Sequence, residues 1–158
     1  MCQYIDMASS SPVPPHPAAD VTEHVGYRLK RAHSALRGAL DVALREHDLT
    51  VPQYSCLEVL ALRPGLSNAE LARATFVTRQ SMNVLLRGLQ EAGLTTRPDV
   101  VDHGRARPVR LTDAGERRLR SAQASVYAVE ARMVASIPAK RLTALLEELD
   151  EIVRALDG

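Results

Sequence analysis

The stretch 67–111 limits what this chain can fold into more than any other part of it. It opens on Ser67-Asn68-Ala69-Glu70-Leu71-Ala72 and turns through Thr75-Phe76-Val77-Thr78. It then enters the helix-like run Arg79-Gln80-Ser81-Met82-Asn83-Val84-Leu85-Leu86-Arg87-Gly88-Leu89. Gly93 is a helix stop, and residues 94–111 form a hairpin-like segment with Asp102-His103-Gly104-Arg105 at its tip. Short strands are expected at 94–97 and 107–111, and Pro98 and Pro108 make this an edge hairpin rather than part of a larger sheet. Two short helices, a turn and a hairpin amount to a winged helix-turn-helix.

The residues upstream supply helix starts of the same quality. Thr50 and Gln53 have the spacing of a capping box, with Leu49 and Tyr54 placed as a hydrophobic staple around it. That helix carries Leu57, Val59, Leu60 and Leu62 and stops at Arg63-Pro64-Gly65. Ser67 and Glu70 repeat the box, with Leu66 and Leu71 as the staple.

The helix from Arg79 divides by angle. At 100° per residue, Met82, Leu85, Leu86 and Leu89 fall within one sector and predict a core face. Arg79, Gln80, Asn83, Arg87 and Gln90 fall within another. A plain surface helix usually carries Glu and Lys there, whereas this face has no acid over its first three turns. Its donor-rich side chains suit bidentate contacts with purine edges in a major groove. Charge agrees. Residues 73–120 hold ten Arg against five acids, a local +5 in a chain whose total is +1, which leaves −4 elsewhere. A basic middle between neutral to acidic flanks points to local phosphate binding.

Residues 1–20 are rich in Ser, Pro and Ala without periodicity and are expected to be a disordered tail. From Val21 a helical pattern runs to about 48, with Val25, Leu29, Ala32, Leu36, Ala39 and Ala43 in steps of four and three beside Leu40 and Leu44. Thr112 opens another long helix with Leu119, Ala122, Val126, Val129 and Met133 on one stripe. After Ile137-Pro138 a last helix carries Leu142, Leu145, Leu146, Leu149, Ile152, Val153 and Leu156. That stripe is too long and too terminal for the chain to cover alone, so the long helices are expected to bundle with a second copy into a two-fold homodimer. The expected plan is mainly α: a tail (1–20), a dimerisation helix (21–48), the winged helix-turn-helix (49–111) and dimerisation helices (112–158). With 3% aromatics and no Trp, the core falls to Leu, Val and Ala, which suits helices.

At this point the chain resembles the MarR family of bacterial transcriptional regulators. The resemblance rests on Leu49-Thr50-Val51-Pro52-Gln53-Tyr54, Leu66-Ser67-Asn68-Ala69-Glu70-Leu71-Ala72 and Val77-Thr78-Arg79-Gln80-Ser81-Met82-Asn83. Leu89-Gln90-Glu91-Ala92-Gly93-Leu94 and residues 107–115 continue it, so that it spans about residues 25–156 in order and spacing. It implies an obligate dimer, a triangular helical body with a two-stranded wing, and operator binding relieved by a small ligand or an oxidant. It carries DNA contact to Thr78, Arg79, Gln80, Ser81, Asn83 and Arg87 in the recognition helix, and to Arg105 in the wing with Arg107 beside it. Ser67 and Asn68, at a helix start, are candidate phosphate donors. Family wings commonly have Asp two residues before the tip Arg. Here that position is His103, with the acid at Asp102; His103 is an ordinary exposed residue, a phosphate contact or a group that makes the wing pH-sensitive.

Family ligands sit between the dimer helices and the DNA-binding lobe and are often phenolic or carboxylate compounds. Arg28, Arg31, His33, Tyr54 and Cys56 are the polar candidates for that role. The plainer alternatives are an interface His for His33 and a buried small hydrophobe or a redox switch for Cys56. Residues 104–158 contain no His or Cys to complete a metal cluster, and no cofactor motif or nucleophile–base pair points to an enzyme. With two Cys, no secretory start and no apolar run of about 20 residues, a cytoplasmic protein is expected. The competing expectation is a winged-helix protein-interaction module, which would have no need of the basic, acid-poor face at 79–90.

Overall fold

The computed structural model describes residues 20–97 and 109–157. The expected tail, apart from Asp20, and the wing tip with Pro98, His103, Arg105, Arg107 and Pro108 lie outside the described residues. The chain forms two units, residues 1–34 and 35–158.

In the first unit a single 3-10 turn, Val21–Glu23, is capped by the Asp20 carboxylate, which accepts from the Thr22 amide. Helix α1 (Val25–Arg45) starts after the extended His24, so the expected continuous helix from Val21 is broken there. Val25, Leu29 and Ala32, one side of the expected stripe, are exposed.

The second unit holds the end of α1 and the rest of the fold. Helix α2 (Val51–Leu62) begins at the full Thr50–Gln53 capping box, and α3 (Asn68–Ala74) at the full Ser67–Glu70 box. Helix α4 (Arg79–Glu91) is capped by Thr78. Strands β1 (Thr95–Thr96) and β2 (Arg110–Leu111) pair antiparallel, Thr95 with Leu111 and Thr96 with Arg110. They are shorter than expected from the sequence. Helix α5 (Asp113–Val134) is capped by Thr112, and α6 (Ala139–Leu156) follows Pro138.

Three helix ends share one device. At α1 the Leu49 amide reaches the Leu44 carbonyl and the Asp48 amide that of Arg45; at α3 the Val77 amide reaches Ala72 and that of Phe76 reaches Arg73; at α4 the Leu94 amide reaches Leu89 and that of Gly93 reaches Gln90. Each is a Schellman motif, which needs a left-handed residue at its pivot. The pivots are Asp48 (φ 51°), Phe76 (φ 55°) and Gly93 (φ 69°). In each case the motif turns a residue of the next segment back toward the helix it leaves.

Helix α2 is the hub of this unit, packing on α3, α4, α5 and β2. Leu57 and Leu60 of α2, Leu71 of α3, Met82, Leu86 and Leu89 of α4, and Leu119 and Ala122 of α5 close into one core. The α4 core face is therefore as expected, with Leu85 at its half-buried margin. Along α5 the expected stripe is covered as far as Val129, but Met133 is exposed. Helix α6 buries none of its residues. No helix among the described residues is long and apolar enough to cross a membrane.

Candidate nucleic-acid interface

Burial of Met82, Leu86 and Leu89 fixes the rotation of α4 about its axis, and this rotation turns Arg79, Gln80, Ser81, Asn83 and Arg87 outward. The helix's only acid is Glu91, its last residue. Among the described residues neither Arg79 nor Arg87 has an ion-pair or hydrogen-bond partner; the ion pairs there are Arg37–Asp41, Arg118–Asp48 and Arg120–Glu116. Thr78 accepts from the Ser81 amide at 3.0 Å and donates its hydroxyl to Ser81 Oγ at 2.8 Å, which leaves the Ser81 hydroxyl proton free to point outward. The result is a helix face with two guanidiniums, two side-chain amides and a hydroxyl open to solvent, the donor set that groove edges and phosphates accept.

Of the two residues expected to donate to phosphate from the start of α3, Ser67 uses both of its donors within the protein and Asn68 one of its side-chain protons. Ser67 gives its amide (2.8 Å) and its hydroxyl (2.6 Å) to the Glu70 carboxylate, so both of its donors are used and an anion sits beside them. These two bonds hold the Glu70 carboxyl below its usual pKa. Asn68 gives its side-chain amide to Asn83 Oδ1, joining α3 to the outer face of α4. Both residues lie where expected, but they brace the interface from within.

The base of the wing is pinned to α5. Thr112 donates its hydroxyl to the Gly93 carbonyl (2.7 Å) and its amide to the Leu94 carbonyl (3.1 Å) while capping Gly115 (3.1 Å). Arg97, directly after β1, and Arg110, in β2, are exposed.

The ligand candidates are divided between the two units. In the first, Arg28 donates to the Thr22 carbonyl at 2.5 Å, Arg31 lies 6.0 Å from the centre of the Tyr27 ring, and His33 is exposed. In the second, the Tyr54 hydroxyl donates to Glu58 at 2.8 Å. Burial, then the Glu58 bond, raise the Tyr54 pKa, so the phenol stays neutral. Cys56 is wholly enclosed with its sulfur 3.9 Å from Met82 Sδ, and burial pushes its thiol up to about 12. It is the buried small hydrophobe, out of reach of a ligand or an oxidant in the folded chain.

Sequence reasoning missed two features here. His47, in the turn after α1, bonds Ser121 and Ser125 of α5 through its two ring nitrogens, each at 2.9 Å, and Arg118 donates to its carbonyl at 2.8 Å. A cleft of about 380 Å3 opens between α2, β2 and α5, with Leu60, Leu111 and Leu119 as its floor and Arg110 and Arg120 at its walls. Residues brought together from separate elements leave no local spacing signal.

Comparison with known proteins agrees with this geometry. The model of the MarR family matches residues 47–106. The HTH-type transcriptional repressor Rv2887 of Mycobacterium tuberculosis is 41% identical over 128 residues, covering 79% of this chain and 92% of the relative. Its crystal structure with DNA superposes with a TM-score of 0.67 at 39% identity, covering 80% of this chain and 97% of that one. Its complex with salicylic acid gives 0.67 at 40% identity, with 82% and 96% covered.

Proposed function

The chain belongs to the MarR family, and from that premise we propose that it is a homodimeric, sequence-specific DNA-binding transcriptional repressor, released from a pseudo-palindromic operator by a small anionic or phenolic ligand. The carrying observation is the open face of α4, with its two unpaired Arg and no acid before Glu91. Such a helix lies in a major groove, and two copies related by a two-fold axis read half-sites about 34–36 Å apart. The relative's complexes with DNA and with salicylic acid support both halves of the reading. In this scheme the protein works in the cytoplasm and catalyses nothing.

Each part of the scheme has its residues. Arg79, Gln80, Ser81, Asn83 and Arg87, with Thr78 as cap, face the groove, and Arg105, with His103 and Arg107, follows the backbone or the minor groove. The uncovered apolar faces of α1, α5 and α6 supply the dimer contact. The cleft between α2, β2 and α5 suits an aromatic carboxylate: its size is within the usual range for ligand pockets, its lining includes Leu60, Leu111 and Leu119, and Arg110 offers a cation beside the Arg120–Glu116 ion pair. Occupying it would act on the base of the wing, because Arg110 and Leu111 are β2 itself.

The deciding experiment incubates the full-length protein with a random duplex library at two salt concentrations and sequences the retained DNA. An inverted repeat is expected, with affinity falling about a thousandfold or more between 50 and 200 mM salt as Arg–phosphate contacts release counterions. If no sequence is enriched at either salt, the repressor reading fails and a winged-helix protein-interaction module takes its place.

With the operator in hand, Arg105→Ala should weaken every operator variant by a similar factor. Gln80→Ala should instead remove preference at particular base pairs, by about 5- to 150-fold at each. Uniform effects from both substitutions would refute this division between backbone and base contacts.

A further inference from the structure

Asn68 and Asn83 form the one side-chain bridge between the start of α3 and the outward face of α4 among the described residues. Asn68 donates its Nδ2 to Asn83 Oδ1. To do so it keeps its own Oδ1 buried and without a partner. Burying an acceptor unpaired is unfavourable, and a core contact alone would gain nothing from that arrangement. Asn83 itself is exposed, five residues into the sequence Arg79-Gln80-Ser81-Met82-Asn83 that opens α4.

A side-chain amide has two unlike ends, an acceptor oxygen and a donor NH2. A freely turning Asn presents both, which is why it pairs with adenine, whose N7 accepts and whose N6 donates. Here the oxygen end is held toward α3, so the end left for a ligand is the pair of Nδ2 protons. We infer that Asn68 is a specificity-determining positioning residue: it fixes the polarity of Asn83 so that Asn83 reads an acceptor edge in the major groove, guanine O6/N7 or thymine O4, and disfavours the donor-bearing edges of cytosine and adenine.

The inference rests on the proposal that α4 enters a major groove, and the test separates the two. Full-length protein is titrated with the recovered operator and with all single base-pair variants of one half-site. Asn83→Ala first locates the base pair whose preference depends on Asn83. At that pair the unsubstituted protein should prefer guanine or thymine about tenfold or more over cytosine on the contacted strand. Asn68→Ala should reduce this preference to within about threefold while preferences elsewhere in the half-site stay as they were. Asn68→Asp is the sharper variant. Its carboxylate can only accept, so it captures Asn83 Nδ2, turns Asn83 Oδ1 to the DNA, and moves the preference to cytosine or adenine. Asp is also well tolerated in the first turn of a helix, so this variant should fold even if the alanine variant does not.

Three results would overturn the inference. One is an Asn68→Ala effect equal at every base pair, the mark of a mere fastening between α3 and α4. Another is an Asn83-dependent preference for a donor edge in the unsubstituted protein. The third is an Asn83→Ala variant with unchanged preferences throughout, which would leave operator binding intact and remove Asn83 from readout. Absence of any enriched operator would instead refute the groove-reading proposal on which this one stands.

Discussion

Gly115→Ala should lower the melting temperature by about 6–12 °C and carry operator binding down with it. A Cβ at this position would lie 2.0 Å from the Leu94 carbonyl oxygen and 3.0 Å from its carbon. No rotamer change relieves the contact, since the obstacle is backbone. That backbone is also held, for the Leu94 carbonyl accepts from the Thr112 amide and the neighbouring Gly93 carbonyl from the Thr112 hydroxyl. Either α5 moves away from β1, breaking the Thr112 cap on Gly115, or the wing base moves off the core with buried Leu94. Overpacking commonly costs about 1–3 kcal/mol, and a clash with fixed backbone belongs at the upper end or above it. For a chain of this size about 3 kcal/mol corresponds to the stated shift. Differential scanning calorimetry reads it directly, and a variant melting within about 2 °C of the original protein would show that the junction of β1 and α5 yields easily.

That junction also marks where the sequence was legible and where it was not. Thr112, Gly93 and Leu94 were readable as a cap, a stop and a strand start, because each signal is carried by adjacent residues. The close approach of Gly115 to Leu94 joins positions 21 apart in the chain and has no local signature. The capping boxes at Thr50 and Ser67 were legible in full, since both partners of each lie within four residues. Of the three Schellman pivots, Gly93 announced itself, whereas Asp48 and Phe76 did not. Phe is a poor left-handed residue, and here it is also 95% exposed. The α4 faces followed from periodicity alone. The bond of Asn68 to Asn83 did not: which groups a donor meets depends on how α3 packs against α4. The His47 clasp on Ser121 and Ser125 was hidden for the same reason.

Ending the chain after Pro138 should convert a dimer into a monomer and cost about 10²–10⁴-fold in operator affinity. Helix α6 repeats apolar residues in helical steps from Leu142 to Leu156, yet the chain covers none of them fully. Leu146 is 57% exposed and Leu156 79%. An isolated helix of this length is marginal in water and draws its stability from an apolar face that something covers. Its own chain does not do so, and the α5 stripe opens toward solvent at Met133. A second copy related by a two-fold axis offers the same two apolar surfaces in return, which is the self-complementary contact that cyclic dimers use. Losing it separates two recognition helices that otherwise bind in one event, and the affinity penalty is the lost effective concentration. Salt dependence gives a second, independent reading. The slope of log affinity against log salt counts neutralised phosphates, so a monomer on one half-site should show about half the slope of the dimer. Light scattering and titration at several salts test both numbers. A truncated chain that still scatters as a dimer and keeps the full slope would place the dimer contact in α1 and α5 without α6.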